Sequence, residues 1–253
     1  MKKIKVLVLM LILVTLLDGC GNTSNEASEN TQAATTSSKN ETASEEAGLN
    51  ESEDQNTLEN AGSNVLIAYF SRIGNIDSEH EIDAVSSASV VTQGENILGN
   101  MEYMAELIRD VTGGDIHFIE TSKQYPSEYD SSDNNELDVY VNKENRENAR
   151  PELATHVENM DDYDVVFLGF PNWYGDMPMA VYSFLDEYDL SGKKIYLFNS
   201  SGGGGPRDAY SKTSGLEPDA EVEKNIFSVS HSQVAQLTDQ DMQDWLSEIG
   251  YGN

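Results

Sequence analysis

Between residues 63 and 253, short apolar runs alternate with longer stretches in which apolar side chains return every three or four positions. Runs of strand length fall at Val65 to Phe70, Asp115 to Glu120, Asp164 to Phe170, Lys194 to Asn199 and Asn225 to Val229. The segments between them predict helices at Asn100 to Thr112, Asn135 to Arg146, Met177 to Tyr188 and Thr238 to Ile249, with an ill-defined turn near Pro206 to Ser214. In the first of these, Met104, Leu107, Ile108 and Val111 share one face, while Glu102, Glu106, Arg109 and Asp110 can face water. Near-continuous apolar strands separated by amphipathic helices imply a parallel sheet covered on both faces. Five such strands with short crossovers predict an α/β fold of three layers around a doubly wound, five-stranded parallel sheet.

The first 62 residues follow a different pattern. Lys2, Lys3 and Lys5 precede an apolar run from Ile4 to Leu17, too short and too N-terminal for an ordinary spanning helix and suited to an export signal. That run ends Leu17-Asp18-Gly19-Cys20, which resembles the bacterial lipobox apart from the charged Asp18. The resemblance implies residues 1–20 as a lipoprotein signal peptide and Cys20 as an acylated anchor, palmitate among its chains, on the extracytoplasmic face of the membrane. Residues 21–62 are Ser, Asn, Thr, Glu and Ala with almost no large apolar side chain, the composition of an acidic disordered tether. Residues 63–253 make one domain.

Charge narrows the partners. The 253 residues include 45 acidic and 15 basic side chains, a formal charge of −30, which repels phosphate backbones and argues against nucleic acid. Ten of the acids and four of the bases precede residue 63, so the domain itself holds 35 and 11. Cys20 is the one cysteine, which excludes an internal disulfide and leaves redox chemistry to a bound cofactor.

In an open α/β sheet the ligand crevice lies beyond the C-terminal strand ends. After the first strand come Ser71-Arg72, a long polar excursion, and then Gly99-Asn100-Met101 at the start of a helix. Backbone N–H groups and the helix dipole can hold a phosphate there, although Asn100 could equally be a cap. After the third strand, Pro171-Asn172-Trp173-Tyr174-Gly175 sets an aromatic pair on a tight loop, suited to stacking on a flat ring, and a flavin is the expected ligand. After the fourth come Ser200-Ser201 and four glycines, Gly202 to Gly205, which let backbone approach a ligand closely.

Tyr69-Phe70-Ser71-Arg72, Gly99-Asn100, the segment Glu147-Asn148-Ala149-Arg150-Pro151-Glu152-Leu153 and the loop through Gly175 together resemble the flavodoxin-like family, in its branch with a YFSR start and an LGxPNWxG loop. The resemblance implies a 2-1-3-4-5 sheet and non-covalent FMN. It places Ser71, Gly99 and Asn100 around the phosphate, Asn172, Trp173, Tyr174 and Gly175 beside the ring, and Ser201, Gly202 and Gly203 along its far edge. Arg72, Met101 and Pro171 complete the expected site. Met101 stands where the family has Thr, Asp176 where it has a neutral residue, and the glycine loop lacks the branch's His. Gly74-Asn75 is a second Gly-Asn candidate, disfavoured because no helix follows it. Asp83 to Ser89 loosely resembles a covalent flavinylation signature, with Ser89 as the acceptor; Ser87 replaces its glycine and the host fold differs, which favours a loop of small residues over the cofactor.

His80, His117, His156 and His231 have no metal-ligand spacing and read as surface or satisfied residues. No residue is identified as a catalytic acid or base. Two functions follow: an FMN-dependent electron-transfer protein or quinone-type reductase, with a redox partner protein or a small quinone-like acceptor, or a lipoprotein that keeps the fold, has lost FMN and acts as a binding module. The acidic surroundings predict a lowered potential for the second electron.

Overall fold

The computed structural model describes residues 64–76, 90–93, 96–127 and 136–252. The expected signal peptide, Cys20, the expected tether, His80 and Ser89 lie outside the described residues.

Three strands form the centre of the main sheet: β1 (Val65–Tyr69), β5 (Val165–Pro171) and β6 (Lys194–Ser201). Their order with β4 (Asp115–Phe118) is β4-β1-β5-β6, all parallel, with Leu66 opposite Val166 and Gly169 opposite Phe198. Both faces of these strands are buried. Val65, Ile67, Val165, Phe167, Tyr196 and Phe198 join one core, and Leu66, Ala68, Val166, Leu168, Ile195 and Leu197 join the other. That period of two explains why the runs read as continuously apolar.

Helices α1 (Asn100–Thr112), α5 (His231–Val234) and α6 (Asp239–Glu248) cover the first face through Met104, Ile108, Val234, Met242 and Leu246. Helices α2 (Glu136–Glu147), α3 (Met179–Glu187) and α4 (Ala209–Leu216) cover the second through Leu137, Val141, Phe184 and Ala209. The expected three layers are present. Helix α1 has the bounds that its apolar stripe predicts, and it stops at Gly113, whose φ of 72° lets its N–H reach the Arg109 carbonyl at 2.7 Å.

Three features depart from the pattern. The fifth sheet position is shared by β7 (Glu221–Val222) and β8 (Phe227–Ser230), which pair with successive parts of β6. Two residues are too few to carry a periodic signal. The turn expected near Pro206 to Ser214 closes into helix α4 around buried Ala209 and Thr213. The polar excursion after β1 ends in an antiparallel hairpin of β2 (Val90–Gln93) and β3 (Asn96–Gly99), which delivers the chain to α1 and buries Val91 in the core.

The sheet is close-packed where β5 meets β6. A Cβ on Gly169 would lie 2.2 Å from the Phe198 ring. Gly169→Ala is therefore expected to destabilise the fold by about 1–3 kcal/mol, read as a lower midpoint in urea unfolding, because a buried aromatic ring has no room to withdraw.

Candidate functional site

Beyond the C-terminal ends of β1, β5 and β6 lies a cleft of about 510 Å3. Of the thirteen expected site residues, Ser71, Arg72, Asn100, Met101, Pro171, Asn172, Trp173, Tyr174, Gly175, Ser201 and Gly202 line it. Gly99 and Gly203 do not.

Gly99 acts from behind. A Cβ there would meet the Ser71 hydroxyl at 2.2 Å, so its missing side chain lets the loop after β1 close against the start of α1. Its N–H donates to Glu102 Oε2 at 3.1 Å and is thereby committed to the helix's own first turn. The second Gly-Asn pair has a structural role. Asn75 is fully buried; its Nδ2 donates to the Ser71 carbonyl at 2.9 Å and the Ile119 carbonyl at 3.0 Å, and its Oδ1 accepts the Thr121 N–H at 2.8 Å. It fixes the loop after β1 to the chain leaving β4, and Asn100 is the member of the two pairs that faces the cleft.

The aromatic loop is a type I′ turn. Trp173 and Asp176 exchange backbone hydrogen bonds at 2.9 and 3.0 Å around Tyr174 (φ 54°) and Gly175 (φ 86°). A tyrosine at positive φ is uncommon, and here it leaves Tyr174 39% exposed at the cleft mouth. Trp173 turns inward, 8% exposed, with its ring edge-on to Phe70 and Tyr125 at 5.1 and 5.2 Å. The Trp-Tyr pair therefore divides into a packed floor and one exposed ring. Asn172 spans two loops: Nδ2 donates to the Gly205 carbonyl, Oδ1 accepts the Gly175 N–H at 3.0 Å, and its backbone N–H reaches the Ser200 carbonyl at 2.9 Å. Ser201 Oγ accepts the Gly205 N–H at 3.0 Å and shapes the glycine run.

The electrostatics differ from what composition suggests. Among the described residues no Asp or Glu lines the cleft, whereas Arg72, Arg207 and His231 do. Asp176 turns away from it: its carboxylate pairs with Lys212 and accepts the Tyr182 hydroxyl at 2.7 Å and the Met177 N–H at 2.8 Å. Among the described residues the expected acidic surroundings therefore do not describe the cleft wall, and the one acid on the aromatic loop is already paired. Arg72 is 4% exposed, and its Nη2 donates to the Ser127 carbonyl at 2.6 Å.

Arg207 and His231 were not expected. His231 directly follows β8, so the rule of the strand C-termini could have found it; reading only three loops missed it. Arg207 follows Pro206 at the end of the glycine run. His156, by contrast, sits outside the cleft and pairs with Glu187 at 2.7 Å.

These features place the chain in a known family. The sequence profile of the Flavodoxin family matches residues 83–249, and the chain belongs to that family. Among solved structures, a candidate flavoprotein of Bacteroides eggerthii DSM 20697 is 23% identical, with 75% of this chain and 99% of that one covered at a TM-score of 0.53, a likeness of fold. A flavoprotein in complex with FMN from Lactobacillus acidophilus NCFM is 18% identical over 73% of this chain and 99% of that one, at a TM-score of 0.46. No curated protein matches the chain.

Behind the floor, Glu144 is pushed up to about 7 by burial, against the opposing effects of Tyr125 and Lys123. A carboxyl raised in the folded state stabilises fully below its unfolded value near 4.5 and loses that contribution as pH climbs through about 7. Glu217, also raised to about 7 by burial and by Asp189 and Asp186, acts in the same direction. Glu144→Gln is expected to flatten, though not abolish, the fall in stability over this window, by on the order of 2 kcal/mol, as measured by urea unfolding at each pH. An unchanged pH profile would contradict the assignment.

Proposed function

We propose that this protein binds FMN non-covalently in the cleft and acts as an electron-transfer protein or quinone-type reductase. The carrying observation is that, among the described residues, Arg72 and Arg207 line the cleft and no acid does, in a chain of net charge −30. An anionic ligand is the natural occupant of such a place. Membership of the Flavodoxin family supports the same reading, as does a volume of about 510 Å3, within the range of small-molecule and cofactor pockets.

The residues present fit the cofactor. Ser71, Arg72 and Asn100 would hold its phosphate at the start of α1, Tyr174 would stack on its ring with Trp173 beneath, and the backbone of Ser201, Gly202 and Gly203 would border its edge. Bound FMN supplies reversible one- and two-electron transfer. The chain's own contribution is to position the ring, exclude water through the packed Trp173 floor, and set the local charge.

A second reading, a binding module that has lost FMN, draws on Met101, buried in the cleft wall, and on Glu102, whose carboxylate takes the Gly99 N–H at 3.1 Å behind that wall. Both remove a hydrogen-bond partner that a phosphate would use.

Titration of the full chain with FMN, followed by flavin fluorescence, is expected to give saturable one-to-one quenching. Asn100→Ala should weaken binding by about 1–1.5 kcal/mol and Tyr174→Ala by about 0.5–1.5 kcal/mol. Absence of saturable quenching would favour the second reading. We further propose anchoring through lipidated Cys20 on the extracytoplasmic membrane face. Cys20→Ser is expected to abolish incorporation of labelled palmitate and release the chain from membranes; retention with full labelling would refute it.

A further inference from the structure

The cleft is basic at both ends, and one phosphate accounts for only one of them. Arg72 leaves β1 toward the β4 side, where it holds the Ser127 carbonyl at 2.6 Å. Arg207 follows β6, on the other side of β5, and strands two apart in a sheet are about 10 Å from one another. Arg207 is thus carried by a different loop from the one that meets the start of α1.

Its local structure holds it at the cleft. Arg207 takes a φ of 48°, and the turn around it is closed by the Ala209 N–H on the Pro206 carbonyl at 3.0 Å. The guanidinium lies against Gly204: a Cβ there would stand 3.3 Å from Nε and 3.4 Å from Nη2. The nearby cation Lys212 is paired with Asp176, whereas Arg207 forms no ion pair among the described residues. His231 closes the same end. Its Nδ1 would stand 3.9 Å from a Cβ on Gly202, is buried, and has no hydrogen-bond partner among the described residues. Gly202 and Gly204 put no side chain between these two groups and the cleft.

We infer that Arg207 and His231 form an anion-recognising site at the glycine-loop end of the cleft, and that the substrate is a small planar aromatic molecule carrying a sulfonate or carboxylate. The anionic group follows from a guanidinium with no carboxylate partner among the described residues, and the flat aromatic part from the flavin ring that the proposed reading seats against Tyr174, on which a substrate has to stack to exchange electrons. The long-range field of a chain at −30 repels such a molecule, so local capture has to compensate. The inference rests on the proposed cofactor reading for the identity of the rest of the cleft.

The test uses two redox-inert probes of the same shape, naphthalene-2-sulfonate and uncharged naphthalene-2-sulfonamide. Each is titrated by calorimetry into the full chain with and without FMN, with FMN affinity measured separately by fluorescence. The sulfonate is expected to bind about tenfold tighter than the sulfonamide, with Arg207→Gln and His231→Gln each cutting that preference severalfold and Arg207→Lys restoring part of it. Arg207 is exposed, so its replacement is not expected to disturb folding. Equal binding of the two probes, or a preference that survives Arg207→Gln, overturns the inference. A chain that takes up FMN but lacks the preference refutes the anion site alone. One that prefers the sulfonate through Arg207 yet takes up no FMN refutes the cofactor reading and keeps the site. If Arg207→Gln instead weakens FMN and leaves the probe ratio unchanged, Arg207 serves the cofactor and the inference fails.

Discussion

Parallel pairing of β1, β5 and β6, with apolar side chains on both faces, is the constraint from which the rest of this structure follows. A parallel sheet brings every strand out at the same edge. The strands ending at Tyr69, Pro171 and Ser201 therefore open on the same edge, and the three loops that leave them must share one crevice. Two amides, the buried one of Asn75 and the half-buried one of Asn172, then tie those loops together. Asn75 fixes the first to the chain leaving β4, and Asn172 fixes the second to the glycine run. Both satisfy their carboxamide groups internally, so the crevice is largely shaped before any ligand arrives.

Charge is sorted rather than spread. A chain of −30 could be expected to carry acids everywhere, yet among the described residues none faces the cleft. Asp176, which directly follows the aromatic loop, is occupied by Lys212, Tyr182 and the Met177 N–H. Glu144 lies behind two aromatic layers, beside Tyr125, which itself packs edge-on against Trp173 at 5.2 Å. The negative charge thus repels anions at long range, while the cleft wall attracts them at short range.

Much of this was legible in the chain. The stripe in α1 fixed its bounds, and the apolar runs located the central strands, because both are repeated patterns over enough residues to be read. Eleven of the thirteen expected site residues line the cleft, since strand ends and glycine-rich loops carry a topological meaning independent of contacts. What could not be read depends on three-dimensional neighbours. No pattern in the sequence separates buried Asn75 from cleft-facing Asn100, or tells that Trp173 becomes floor while Tyr174 is exposed. The charge of Asp176 looked unfavourable because its partner Lys212 is 36 residues away. His231 was hidden by short β7 and β8, whose placement decides where the chain re-enters the cleft.

A crystal structure of the full chain grown with FMN tests the central claim most directly. The account predicts the phosphate between Ser71 and Asn100 at the start of α1, with the ring against Tyr174 and the backbone of Ser201 to Gly203. Flavin density elsewhere, or an empty cleft at saturating FMN, would contradict it.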